Sequence, residues 1–405
     1  MTLSPTFLLE DISAARSETD RLFDLIRPEF LYERPVAERH RLIFYVGHLE
    51  AFDWNVLARR TAGMASFFPK FDQLFEAGID PEPGQLPSDP PSAWPDLAEV
   101  LAYRDETRRR VDALIDQLPP KMVLWGIEHR LMHAETLAYL FHNLPFKNKR
   151  PVSQLEEMMR SSVPPPSRMI QIPAGLATLG QRSDLLGWDN EFPQHTQPVA
   201  QFLVSQYKVT NGEYLAFVSA GAPAPHFWLK QDGEWYYRGM FEAIPLPLDW
   251  PVYVTQAEAT AYAQWAGSRL MTENEYHRAA YGQPDGSESA FPWGSAAPSP
   301  EHGNSNFVRF DPEPVTAHPA GDSTFGVSQL AGNGWEWTST PFAPFDGFQS
   351  FDFYPEYSAN FFDNAHFVIK GASPRTASCF LRRSFRNWFR PTYPYVYATF
   401  RLVEN

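Results

Sequence analysis

The sequence has one cysteine, Cys379, so no intrachain disulfide can form and a reducing compartment is expected. A lone cysteine of this kind reads as a small buried hydrophobe. Basic residues are also scarce. Thirty-four Lys and Arg face 48 Asp and Glu, giving a formal charge of −14. Neither counterion release nor headgroup attraction favours so acidic a surface, which argues against nucleic acid and membrane as partners. No window approaches the ~20 apolar residues of a membrane span. The first residues lack a basic stretch followed by an apolar run, so no signal peptide is expected. These absences predict a soluble, cytoplasmic protein. A repeat of roughly 20–50 residues is missing too, which disfavours solenoids and propellers. Aromatic residues, by contrast, make up 15% of the chain, most of them in the second half, and there are 38 prolines.

The two halves follow different patterns. Up to residue 148, apolar residues recur at helical spacing in four long segments, 12–26, 38–60, 95–118 and 122–144. This predicts an up-down helical bundle. A long connection, 64–95, joins the second and third segments; such connections are usually functional or disordered. Residues 149–167, rich in proline towards the end, read as a linker. From 168 to 405, short apolar runs alternate with Gly, Pro, Asn and Asp, and helical pieces stand out only near 211–219, 256–267 and 272–281. The fold class expected is therefore α+β: a helical bundle followed by an irregular, loop-rich α+β domain. In the last helical piece, Thr272 with Glu275 three residues on is a capping box.

The stretch EHRLMHAETLAYLFH, Glu128 to His142, places three histidines and two glutamates on one helix. His129 and His133 are four apart and share a face with Trp125, Leu137 and Leu140. His48 lies beside the apolar stripe of the second segment, a turn after Tyr45 and a turn before Phe52. Inward-facing ligands from two helices can meet around one metal in a bundle, and neutral imidazole is the commonest ligand for zinc, copper, iron and nickel. Two histidines at this spacing are nonetheless more often packed core or surface residues. His40 and His142 read as ordinary polar residues. Glu135 cannot share the face of His133, and a supporting hydrogen bond suits it better than ligation.

Several phrases of the second half occur together and in order: IPAGLATLG (172–180), DNEFPQHTQPVAQFLVSQYKVTNGEYLAFV (189–218), SRLMTENEYHRAAYG (268–282), GNGWEWTST (332–340) and FRLV (400–403). This series resembles the formylglycine-generating-enzyme, or sulfatase-modifying-factor, fold, which is C-type-lectin-like, over about 168–405. Formylglycine-generating enzymes use a pair of cysteines to bind copper, and one cysteine disfavours that activity here. A DinB-like four-helix bundle (1–148) with an early His and a late H-x3-H-x-E, fused to such a domain, resembles the ergothioneine-type sulfoxide synthases. The resemblance implies that His48, His129 and His133 hold Fe(II), and that the substrates are hercynine, O2 and a chalcogen donor.

On the same resemblance, Tyr354 and Tyr357 match a Tyr-x-x-Tyr pair whose members deliver a proton and touch hercynine, and Asn387 and Trp388 match residues lining the hercynine site. A quaternary ammonium is held by aromatic faces and shape, and 345–362 and 384–397 are dense in aromatics. These rings can equally be loop packing. Three departures bear on the donor. Phe389 stands where enzymes using γ-glutamylcysteine carry an acid after the Trp. Met132 replaces a polar residue. No Lys or Arg occurs between Lys70 and Arg104 to grip donor carboxylates. The pattern is most like selenoneine synthase, which joins a selenosugar to hercynine, with Phe68, Phe71, Asp89 and Trp94 as candidate donor contacts. A thiol donor and a non-catalytic lectin-like binding module are the competing readings.

Overall fold

A computed structural model describes residues 5–79, 85–150, 163–166 and 168–404. Most of the expected linker, 151–162 and 167, lies outside the described residues. The chain divides into two compact units, Met1–Gln154 and Leu155–Asn405.

The first unit is helical: α1 (Pro5–Asp24), α2 (Leu42–Phe52), α3 (Pro69–Ala77), α4 (Leu97–Asp112) and α5 (Pro120–His142). Helix α2 continues without a break as a π-helical stretch, Asp53–Thr61. Such stretches are rare and often mark functional sites. Together these form the four long helices expected, with α3 as an additional short one inside the long connection. Prolines at the first positions of α3 and α5 set the starting φ and lack an N–H that would go unbonded there. Ten of the eleven residues of α2 are buried, as befits a helix packed against α3, α4 and α5. An ionic network ties α1, α2, α4 and α5. Buried Arg130 donates to Glu50 and Asp53, and Arg108 bridges Glu50 and Asp20. Arg130 and Glu50 each have several partners, so the cost of burying them is offset within the network, and Asp53 accepts from Arg130 at 2.8 Å.

The second unit is built from short elements. Strand β1 (Met169–Ile172) precedes β2 (Gly175–Leu179), β3 (His195–Val199), β4 (Phe202–Ser205) and helix α6 (Asn211–Ser219). Next come the three-stranded sheet β5 (Trp228–Gln231), β6 (Glu234–Arg238), β7 (Ala243–Pro245), and helices α7 (Gln256–Trp265) and α8 (Glu273–Tyr281). Strands β8 (Gly334–Pro341), β9 (Phe367–Ala372), β10 (Asn387–Phe389), β11 (Ala398–Thr399) and β12 (Val403–Glu404) complete it. The sheet order β10-β9-β8-β11 sets Trp388 beside Val368. All three helices start with a capping box: Thr210 with Glu213, Thr255 with Glu258, Thr272 with Glu275. The two tryptophans of GNGWEWT lie in β8, buried with Glu336 between them. Gly332, Asn333 and Gly334 supply the turn, all at positive φ. Glu336 is held by Lys208 at 2.7 Å and Arg401 at 2.9 Å. Cys379 sits exposed on a short 3-10 turn, Ser378–Leu381, contrary to the buried hydrophobe expected. Its neighbours Phe380 and Leu381 take the buried positions of that turn.

Candidate metal centre and aromatic cluster

His48, on α2, and His129 and His133, on α5, converge. One nitrogen from each lies within 4.8 Å of the other two, and the Nε2 atoms of His48 and His133 are 3.2 Å apart. Two nitrogens at about 2.1 Å from one metal stand about 3 Å apart when adjacent and about 4.2 Å apart when opposite. The trio is grouped closely enough to hold a single ion after small ring movements. The four-residue spacing on α5 brings the two rings to 4.6 Å between centroids.

The surroundings fix each ring. Nδ1 of His48 lies 2.7 Å from the Phe75 carbonyl, which fixes Nδ1 as the protonated nitrogen and turns Nε2 with its lone pair towards His133. The carbonyl comes from α3, seated against α2 at Gly47, where any Cβ would overlap the Phe75 ring. Phe52 stacks flat on His129 with centroids 3.5 Å apart, Phe44 stacks on His48 at 4.7 Å, and Tyr45 tilts against His133 at 5.9 Å. Burial pushes the His48 imidazole down to about 4, against the pull of the Phe75 bond. Burial, followed by the neighbouring histidines, holds His129 and His133 well below the usual value. All three are neutral near pH 7, the state in which imidazole binds metal.

His40 and His142 stay out of the cluster. His40 packs on Phe44 and Trp94, and His142 is fully buried, with its carbonyl accepting from Lys149. Met132 is half-buried on α5. Of the candidate donor contacts, Phe71 and Trp94 are buried, while Phe68 is exposed and stacks on Phe71 at 4.2 Å. Asp89 accepts from Trp94 at 2.7 Å and pairs with Arg34 and Arg41.

In the second unit the structure brings Tyr354, Tyr357 and Trp388 together. The two tyrosine rings are 5.7 Å apart, and Tyr357 meets Trp388 edge-on at 5.5 Å. Phe342 stacks on Trp388 at 4.1 Å. The Asn387 carboxamide accepts from the Trp388 N–H, and Phe389 stacks on Tyr393 at 5.4 Å. Trp188, which sequence reasoning passed over, is fully buried and stacks on Tyr357 at 4.2 Å. Phe75 was passed over as well. Pro69, Phe71, Leu74, Phe75 and Gly78 together carry the signature of its helix: a starting proline, i,i+3,i+4 apolar spacing and a terminal glycine.

Comparison with known proteins places both units. Residues 154–405 match the sulfatase-modifying factor enzyme 1-like domain, and residues 11–141 match the DinB superfamily. The hercynine oxygenase of Mycolicibacterium smegmatis is 30% identical over 98% of this chain and 98% of its own length. Ergothioneine biosynthesis protein 1 of Neurospora crassa is 27% identical, covering 94% of this chain and 56% of that one, so this chain spans little more than half of the fungal protein. The formylglycine-generating enzyme of Bos taurus is 29% identical over 43% of this chain and 58% of its own. The helical bundle with its histidine trio, the loop-rich second unit and the near full-length bacterial match agree: the chain belongs to the enzyme superfamily of ergothioneine-type sulfoxide synthases.

Proposed function

We propose that the chain is a nonheme iron enzyme that uses O2 to join a chalcogen donor to the imidazole carbon of hercynine. The observation that carries this reading is the convergence of His48, His129 and His133 in a chain so similar to a hercynine oxygenase. The three imidazoles would hold Fe(II). Three protein ligands on a six-coordinate ion leave room for substrate, donor and O2 together. Bound there, iron would activate O2 and accept the electrons of bond formation. The donor loses its S–H or Se–H hydrogen and hercynine its ring C–H hydrogen. One oxygen atom takes both as water, and the other ends on the chalcogen.

The chain's own residues supply the rest. Tyr354 would supply the proton, a role that suits a phenol, which is ordinarily protonated at neutral pH. The faces of Tyr357 and Trp388, nearly perpendicular to one another, suit a quaternary ammonium. By the family resemblance Asn387 and Phe389, which flank Trp388 on β10, belong to the substrate side and Met132 to the donor side.

For the donor we favour a selenosugar, giving a C–Se bond. Of the arginines that reach the long connection, Arg34 and Arg41 are engaged by Asp89, Arg59 by Asp72 and Arg60 by Glu76, and Phe389 offers no charge. A sugar needs hydroxyl partners and stacking surfaces, whereas γ-glutamylcysteine needs basic forks. The relatives' names favour the thiol alternative, and one experiment decides. Protein purified without air is loaded with Fe(II), given hercynine and O2, and offered a selenosugar or γ-glutamylcysteine. Mass spectrometry is expected to find hercynine joined to selenium. A sulfoxide from γ-glutamylcysteine alone overturns the donor assignment, and no hercynine-dependent O2 uptake with either donor leaves a lectin-like binding module.

A further inference from the structure

We infer that Trp188 and Asp189 form a latch that positions the tyrosine-bearing segment 345–362, an inference that rests on the reading that Tyr354 and Tyr357 face substrate. The segment has little backbone structure of its own. Its main-chain bonds are short local turns, such as Tyr354 N–H to Phe351 and Tyr357 N–H to Tyr354, and a 3-10 turn at Ala359–Phe361. Side chains must therefore hold it. Two consecutive residues of one turn grip two consecutive residues of the segment. The indole of Trp188 stacks on Tyr357, with centroids 4.2 Å apart and planes at 27°. The Ser358 hydroxyl donates to Asp189 Oδ1 at 2.6 Å, and both residues are fully buried.

The turn that does the gripping, Asp189–Glu191, is itself anchored. Glu191, also fully buried, accepts the Trp188 N–H at 2.8 Å, two Arg382 nitrogens at 2.8 and 2.6 Å, and the Ser384 hydroxyl at 2.6 Å. Arg386 donates to the Asn190 carbonyl at 3.2 Å and the Ala343 carbonyl at 3.1 Å, joining the turn to the approach of the segment. Arg386 directly precedes Asn387 and Trp388. One turn thus sets both the tyrosine pair and the strand that carries Trp388.

Packing alone would not select Asp189. A buried carboxylate is costly, and Oδ2 has no hydrogen-bond partner among the described residues. A polar bond between positions 169 apart in sequence has direction, which apolar contact lacks. It fixes Ser358, and with it the ring of Tyr357, in one place.

The test uses the full chain loaded with Fe(II) and three variants, Ser358→Ala, Asp189→Ala and Asp189→Asn. Hydrogen exchange of peptides from 345–362 and the Kd for hercynine, measured without O2, are the readouts. Loss of one buried hydrogen bond predicts that both alanine variants exchange about tenfold faster there and bind hercynine about tenfold more weakly, with iron content unchanged. Asp189→Asn keeps an oxygen that accepts from Ser358 and is expected to restore both values to near wild type. Ser358→Ala opens little space, so it remains informative if Asp189→Ala does not fold. Wild-type exchange and wild-type affinity in Ser358→Ala would overturn the latch. If the wild-type chain does not bind hercynine, the functional reading falls, and the exchange data alone uphold or overturn the latch.

Discussion

At the scale of single residues, the histidine trio depends on groups outside it, above all the Phe75 carbonyl that meets His48. Four-residue spacing puts His129 and His133 on one face whatever the fold. Linking them to His48, 81 positions before His129, took the family resemblance, because no local rule connects two helices. The Phe75 carbonyl could not be read at all. It is a backbone group whose role depends on α3 seating at Gly47. That dependence makes a prediction. Gly47→Ala should push α3 off α2, cost about 1–3 kcal/mol in urea unfolding by overpacking, and weaken metal binding about tenfold as His48 loses its carbonyl. Unchanged metal affinity in a folded variant would show that the carbonyl does not orient His48. Cys379 failed as an expectation for a similar reason. A lone cysteine is usually buried, but here the turn gives its buried positions to Phe380 and Leu381.

At the scale of elements, helices were read well because their signals are local. The three capping boxes of the second unit are Thr-x-x-Glu on inspection, although only Thr272 with Glu275 stood out beforehand. Thr272→Ala is expected to cost about 1 kcal/mol, seen as a lower melting temperature. A value within error of wild type would mean that the Glu273 N–H bond to Thr340 secures this helix start by itself. Strands were harder. The buried tryptophans of β8 carry no strand signal, because every early position of that strand is buried and no alternation is left to see. The turn at Asp189–Glu191 carries a pH prediction. Burial pushes the Glu191 carboxyl up, but Arg382 and then Ser384 outweigh it and bring it below the usual 4.5. A lowered folded pKa stabilises above the ordinary value and is lost as pH falls through the folded one. Unfolding free energy should decline on acidification below pH 4.5, and Glu191→Gln should flatten that decline. Breaking this buried pair is expected to cost about 3 kcal/mol at neutral pH. An equally steep acid loss in the variant would assign it to other carboxylates.

At the scale of the whole molecule, two differently patterned halves became two compact units, and the change of pattern was plain from the spacing of apolar residues. Each unit is expected to unfold in its own transition, so a single two-state melting curve should not fit the chain. A metal bound by the histidine trio at a hundred times its Kd should stabilise the first unit by about 2.7 kcal/mol and leave the second unmoved. Calorimetry with and without Fe(II) under anaerobic conditions checks this; equal shifts in both transitions would contradict it. Among the described residues no helix is long and apolar enough to cross a membrane. The most direct test of the central claim is the iron content of the chain and of its His129→Ala variant after anaerobic loading and desalting. One Fe(II) per wild-type chain and less than about a tenth as much in the variant are expected, because two imidazoles hold iron far more weakly than three. Stoichiometric iron in the variant, or none in the wild-type chain, would contradict the assignment of the three histidines as the metal centre.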